Sequence, residues 1–235
     1  MPTKTLLLLT VCALAVPSLT QAAITNGDFE TGNLSGWTLV GSGKATGSGI
    51  GVTPTQGSYQ GYIETTGNFT ALAPAVAASL GLSGPSIAGL GAGAPTNGTG
   101  ISQDVTVSAG QTLTFDWNFL TDELDETATF NDFGFFSISG TPYLLASRNS
   151  SSYDISSPPA GFDGQTDWAT QSYTFPAAGT YKIGFGVFNV GDTGHNSVLL
   201  LDAVSITVPE PASVVLLTIG LVGALLFHRR SASDG

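Results

Sequence analysis

The chain has 235 residues, and its 17 acidic against 6 basic side chains give a formal net charge of −11. This balance excludes a nucleic-acid-binding protein, because such a protein needs a basic surface to neutralise phosphates. The single cysteine, Cys12, lies in an N-terminal apolar run, so disulfides and cysteine-based zinc sites are excluded for the rest of the chain. The length fits one domain.

Residues 1–23 have the organisation of a secretory signal peptide. Lys4 gives a positive start, an apolar run continues as far as Val16, and the small residues Ala22 and Ala23 offer a cleavage site. A membrane-spanning helix is the weaker interpretation, because the apolar run is too short to span a bilayer. The sequence therefore predicts export.

Residues 24–208 are predicted to form one all-β domain. Short segments that alternate apolar and polar residues recur along this stretch, separated by glycine, proline, asparagine, aspartate and serine. One of them places Leu113, Phe115, Trp117 and Phe119 on the same face at period two. Short strands at this spacing predict an antiparallel β-sandwich.

Residues 70–100 differ from the rest of this domain. They contain no charged residue and are rich in alanine, glycine, serine and proline. This composition predicts a flexible insertion. A short helix over Ala75–Leu80 is compatible with it, and long loops of this kind inside a domain are otherwise uncommon.

The two ends of the domain resemble those of jelly-roll domains of the carbohydrate-binding-module, or galactose-binding-like, type. The opening stretch, NGDFETGNLSGW (26–37), is similar to their first strand, and LLLDAVSITV is similar to their last. The resemblance implies a structural Ca²⁺ held by Glu30 and Asp202. Ala203 departs from the usual pattern, which has a second aspartate there. The alternative is that both carboxylates are turn and cap residues.

An acidic stretch runs through DWNFLTDELDETATFNDFGFF, residues 116–136. It resembles a signature of exported adhesin-like β domains, and the resemblance suggests that Asp122, Glu123 and Asp132 converge on Ca²⁺. The spacing is not that of an EF-hand. One alternative is a solvated acidic hairpin. Another is a glycosidase pair formed by Glu123 and Asp132, which requires two carboxylates facing each other across a cleft.

Two further side chains are of interest as site residues. Trp168, in the loop DGQTDW, is the candidate for stacking on a sugar, with burial in the core as the alternative. His195 is the only histidine between residues 24 and 208, and its glycine-rich surroundings predict a surface residue. Catalysis by a Ser/His/Asp triad is disfavoured, because no nucleophile motif accompanies this histidine.

The C-terminal residues 209–235 consist of a short motif, an apolar run over 212–227 and a basic cluster over 228–230. The apolar run is predicted to be a single transmembrane helix, but its sixteen residues cover about 24 Å, so it can span only a bilayer thinner than the usual hydrocarbon core of roughly 30 Å. The order of the three parts resembles the PEP-CTERM sorting signal, found on exported proteins of Gram-negative bacteria and processed by an exosortase. A plain single-pass anchor is the alternative. The residues of this predicted signal are Pro209, Glu210, Pro211, Arg229 and Arg230.

These features predict a non-enzymatic protein of the cell surface or extracellular matrix, associated with exopolysaccharide or biofilm. The expected partners are an exosortase, the inner membrane in transit, and extracellular polysaccharide. Ca²⁺ is the only expected cofactor, in a structural role. The alternatives are a dedicated carbohydrate-binding module and, after it, a secreted glycoside hydrolase.

Overall fold

The structure is a computed structural model that describes residues 23–66, 71–123 and 128–207. These residues form two antiparallel β-sheets, which confirms the predicted all-β sandwich. The predicted signal peptide lies outside the described residues as far as residue 22, and the predicted tail, 209–235, lies entirely outside them.

Strands make up most of the secondary structure. In chain order, the strands in the described ranges are β1 (Thr38–Val40), β2 (Ser42–Thr46), β3 (Gln60–Glu64), β4 (Ala71–Leu72), β5 (Pro95–Val107), β6 (Thr112–Thr121), β7 (Phe133–Ile138), β8 (Thr141–Ser147), β9 (Gly164–Gln165), β10 (Ala169–Thr174), β11 (Gly179–Val190) and β12 (Ser197–Thr207). The α-helices are α1 (Ala73–Ser79) and α2 (Gly84–Ala88). The first sheet has the order β1, β5, β11, β7, β8, with β4 beside β5. The second has the order β10, β6, β12, β3, β2, with β9 beside β6.

The apolar core lies between the two sheets. Leu113, Phe115, Trp117 and Phe119 are all buried there, as their period-two spacing on β6 predicted. Phe115 packs against Phe185, which belongs to the opposite sheet. The two rings meet edge to face, with their centroids 4.8 Å apart. Aromatic side chains contribute strongly to such a core because each buries a large apolar area.

At one end of the sandwich the interior becomes polar. Thr121, Asp132, Asn189 and Ser197 are each at most 1% exposed at this end. Thr121 at the end of β6 is opposite Ser197 at the start of β12, so this pairing fixes which loops emerge together. We call these four residues the polar layer.

The stretch predicted as a flexible insertion contains β4, α1, α2 and the start of β5. Its apolar side chains, among them Val76, Leu80 and Ile87, join a second cluster on the outer side of the first sheet, with Phe135 and Phe188. The expectation missed this cluster because small residues resemble loop composition. Their small size lets the two helices lie close to the strands.

The opening stretch also differs from its expected form. Residues 26–36 make turns rather than a strand, and Asn26 and Phe29 have φ angles of 53° and 56°. The turn is held by the Trp37 indole, which donates to the Asn26 carbonyl at 3.0 Å. The stretch nevertheless meets β12, where the Val204 N–H donates to the Gly27 carbonyl at 2.9 Å.

Candidate functional site

Three side chains from two loops converge at the polar end of the sandwich. Glu123, Asp192 and His195 each place one potential ligand atom within 4.8 Å of the other two. Glu123 is only 3% exposed, whereas the His195 side chain is 43% exposed. We call these three residues the Glu–Asp–His group. It combines two carboxylates with an imidazole that solvent can reach.

The sheet pairing explains why these residues meet. Because Thr121 lies opposite Ser197, the residues that follow β6 emerge beside the loop that precedes β12. Asp122 joins the two segments: its carboxylate accepts the Asn196 N–H, and its carbonyl lies 3.0 Å from Nδ1 of His195.

The Glu123 backbone is fixed from both sides. Its N–H donates to the Thr121 hydroxyl at 3.0 Å, and its carbonyl accepts from Nε of Arg148 at 2.6 Å. The Arg148 guanidinium in turn lies 4.6 Å from the centroid of the Tyr153 ring. These contacts hold the Glu123 backbone in one place at the mouth of the polar layer.

The charges around His195 favour its protonated form. Partial burial opposes protonation, but the nearby carboxylates of Glu123 and Asp122 outweigh it and raise the pKa of His195. His195 was predicted to be a plain surface residue, and its place beside these carboxylates was missed. The signal was available in principle, because pairing β6 with β12 brings residues 122–123 next to 191–196.

Asp132 lies deeper, in the polar layer. Its Oδ1 accepts the Val190 N–H at 2.8 Å, and its Oδ2 accepts the Ser197 hydroxyl at 2.7 Å. Burial raises the pKa of Asp132 to about 7, and the nearby Glu123 adds to this effect. Among the described residues, Glu123 groups with Asp192 and His195, and the other two members of the predicted trio, Asp122 and Asp132, are not part of that group. Asp122 lies beside it, with its Oδ1 3.4 Å from Nδ1 of His195, and Ca²⁺ binding by the trio stays a prediction.

Glu30 and Asp202, the other predicted ligand pair, hold one loop together. Oε1 of Glu30 accepts the N–H groups of Ser58 and Tyr59, each at 2.8 Å. Oδ2 of Asp202 accepts the N–H of Gln56 at 2.9 Å, and burial raises the pKa of this aspartate. Both carboxylates therefore act as acceptors for residues 56–59, which agrees with the alternative of turn and cap residues.

A polar hollow of about 340 Å³ lies near this loop. Asn26, Asp28 and Gln56 bring oxygen-bearing side chains to it, and oxygen donors are the ligands that Ca²⁺ takes. Glu30 and Asp202 are not among its lining residues. Ca²⁺ binding by these two carboxylates stays a prediction.

Trp168 is half-buried and fastens a loop. Its indole N–H donates to the Thr53 carbonyl at 2.9 Å. The ring packs against a small cluster on the outer face of the second sheet that includes Tyr62, Leu120 and Leu200. Part of the ring stays accessible, and stacking on a sugar stays a prediction.

Residues 207–230 match the PEP-CTERM protein-sorting motif. The chain carries a PEP-CTERM sorting tail. The match confirms the predicted sorting segment, and a tail of this kind indicates an exported protein. No helix within 23–66, 71–123 or 128–207 is long and apolar enough to cross a membrane.

The sandwich is similar to solved carbohydrate-binding and adhesin domains. The carbohydrate-binding module TmCBM61, solved with β-1,4-galactotriose, is 15% identical with a TM-score of 0.41, over 78% of this chain and 96% of that one. The K3 adhesin domain of Lys-gingipain from Porphyromonas gingivalis is 16% identical with a TM-score of 0.42, over 79% and 98%. These are the two kinds of domain that the motifs resembled. No curated protein matches the chain.

Proposed function

We propose that this protein is a non-enzymatic component of the cell surface or extracellular matrix of a Gram-negative bacterium. A signal peptide directs its export, the PEP-CTERM tail holds it briefly at the inner membrane, and an exosortase-type enzyme processes that tail. The β-sandwich is the delivered part. It associates with extracellular polysaccharide, as in a biofilm.

The position of the sorting motif carries this proposal. Strand β12 ends at Thr207, and the motif begins at the same residue. The sorting segment therefore follows the last strand of the sandwich directly. Processing within this segment would deliver the whole sandwich without removing any of its strands.

Replacing Pro209, Glu210 and Pro211 with alanine tests the sorting step. In a host that contains an exosortase, we expect the variant to keep its tail and stay in the membrane fraction, whereas the parent chain is shortened and released. Alanine at Ser231 and Ser233, beyond the basic cluster, is the matched control and should be processed normally. Normal processing of the Pro-Glu-Pro variant would contradict the proposal.

The charge of the exported domain narrows the polysaccharide class. Between residues 24 and 207 there are fifteen acidic and three basic residues, which give a formal net charge of −12. Like charges repel across an interface, so uncharged polysaccharides are the favoured partners. The half-exposed ring of Trp168 is the candidate stacking surface.

Electrophoresis of the folded protein through gels that contain neutral or acidic polysaccharides tests this association. We expect retardation by a neutral polysaccharide, weakened in Trp168→Ala. Leu144→Ala is the control, because Leu144 is an exposed apolar side chain on β8, which belongs to the other sheet. A melting curve for each variant separates lost binding from lost folding. Absence of retardation in every gel would overturn the association, and release of sugar from the same polysaccharides would overturn the non-enzymatic assignment.

A further inference from the structure

The Glu–Asp–His group has the composition of a metal site rather than of an ordinary surface ion pair. It brings two carboxylates and one imidazole within 4.8 Å of one another, from segments about 70 residues apart in the chain. Ligand atoms around one zinc ion lie roughly 3 to 4 Å apart, given metal–ligand distances of about 2.0–2.2 Å. Binding of a single ion would require the group to contract to that spacing.

The surroundings of the group orient its members. The His195 Nδ1 lies 3.0 Å from the Asp122 carbonyl, and a histidine that binds a metal commonly donates its other ring N–H to such an oxygen. On the other side, the Thr96 hydroxyl donates to the Asp192 carbonyl and holds that loop against β5. Both contacts come from residues outside the group. They fix the two loop residues beside the buried Glu123.

A separate feature of the polar layer also points to a bound group. Asn189 is fully buried, and neither of its amide atoms has a hydrogen-bond partner among the described residues. Its neighbours Phe188 and Val190 both belong to the outer cluster, so alternation along β11 directs Asn189 into the interior. A buried amide without partners is costly. A bound water or ion within the polar layer would satisfy such an amide.

We propose that Glu123, Asp192 and His195 form a binding site for a divalent transition-metal ion of the Zn²⁺ type. The imidazole decides the class, because Ca²⁺ takes oxygen ligands while imidazole suits zinc and its neighbours. The ion would tie the end of β6 to the loop before β12. Neither Asp192 nor His195 belongs to the Ca²⁺ set expected from the sequence, and the site does not depend on polysaccharide binding.

The test uses the full-length chain, stripped with EDTA and dialysed. Isothermal titration with Zn²⁺ should show one equivalent bound, and Co²⁺ should give the visible absorption of a ligand field that includes nitrogen. Asp192→Asn and His195→Ala should each weaken binding by tenfold or more. Both side chains are partly exposed, so these variants are expected to fold, and circular dichroism checks this.

Two variants serve as matched controls. His228→Ala removes the other histidine of the chain, which lies in the sorting tail, and Asp104→Asn removes a carboxylate whose side chain is 61% exposed and paired with Lys182 on the surface. Both should bind Zn²⁺ like the parent. Any one of three results would overturn the proposal: no Zn²⁺ binding by the parent chain, unchanged binding by Asp192→Asn and His195→Ala, or loss of the Co²⁺ absorption when an equal concentration of Ca²⁺ is added.

Discussion

The carboxylate of Asp132 accepts a hydrogen bond of 2.7 Å from the hydroxyl of Ser197, inside the sandwich. Asp132 precedes β7 in the first sheet and Ser197 begins β12 in the second, so this bond joins the two sheets at their polar end. Asp132 is 1% exposed. A negative charge at this buried position is costly, so burial favours the protonated, neutral form of the carboxyl group.

Stability should fall as the pH rises from about 4 to about 7. Burial raises the folded-state pKa of Asp132 from 3.8 to about 7, so in this window the native chain holds a proton that the unfolded chain has released. One such group changes the free energy of unfolding by at most about 1.4 kcal/mol per pH unit. Urea unfolding in EDTA across this range measures the slope.

The variant Asp132→Asn isolates this contribution. Asparagine keeps an oxygen for the Val190 N–H but does not titrate, so the slope between pH 4 and 7 should become shallower than in the parent. His195 titrates equally in both proteins, and its effect cancels in the difference. Equal slopes for the two proteins would show that Asp132 is not the group responsible.

Gly57 should tolerate alanine much less well than Gly81 does. Both have positive φ angles, 62° and 72°, which cost an alanine roughly 1–2 kcal/mol. A Cβ on Gly57 would also lie 2.3 Å from the carboxyl carbon of Glu30, whereas one on Gly81 meets nothing within 4 Å. Gly57→Ala should displace the Glu30 carboxylate, which accepts two backbone N–H groups. We therefore expect its free energy of unfolding to fall by about 1 kcal/mol or more beyond the loss in Gly81→Ala.

Chemical denaturation of the two glycine variants compares them directly. The difference between their free energies of unfolding removes the cost of the left-handed backbone that they share. A difference near zero would mean that Glu30 does not hold the 56–59 loop in solution.

Leu199→Ala should destabilise the sandwich by about 2–5 kcal/mol. Leu199 is fully buried on β12, where truncation leaves a cavity between the two sheets. Leu144→Ala makes the same chemical change at a side chain that is 40% exposed and should stay within about 0.5 kcal/mol of the parent. Thermal and urea unfolding measure both, and similar losses would argue against the assigned core.

Excess Ca²⁺ should raise the melting temperature above that in EDTA if Glu30 and Asp202 bind it, as the resemblance implies. A ligand present at a hundredfold its dissociation constant raises the free energy of unfolding by about 2.7 kcal/mol. The increment should persist in His195→Ala and disappear in Asp202→Asn. Identical melts of the parent in EDTA and in Ca²⁺ would rule this site out.

The sequence was most informative where side chains alternate. The period-two run on β6 predicted both the strand and its buried face, because one side of that strand packs on the core. It was least informative over α1 and α2. Alanine and glycine in that stretch have little hydrophobic contrast, so nothing in their order marked which side would pack against Phe135 and Phe188.

Only one of the three residues in the Glu–Asp–His group was predicted from the sequence to bind a metal. Glu123 stood out within an acidic stretch, but Asp192 and His195 lie in a glycine-rich turn about 70 residues later. Only the register of β6 against β12 brings them together, and composition does not fix a register. The resemblance pointed to Asp122 and Asp132 as the partners of Glu123, and the oxygens of Asp132 accept hydrogen bonds from Val190 and Ser197.

Strand β12, which leads into the sorting tail, lies in the middle of its sheet rather than at an edge. It pairs with β6 along most of its length and with β3 on its other side, so hydrogen-bond ladders flank it on both sides. Tension applied along the strand from beyond Thr207 would load both ladders in shear, whereas an edge strand is held by one ladder only. The sandwich is thus joined to its tether through a strand suited to bear mechanical load while the protein is held at the membrane.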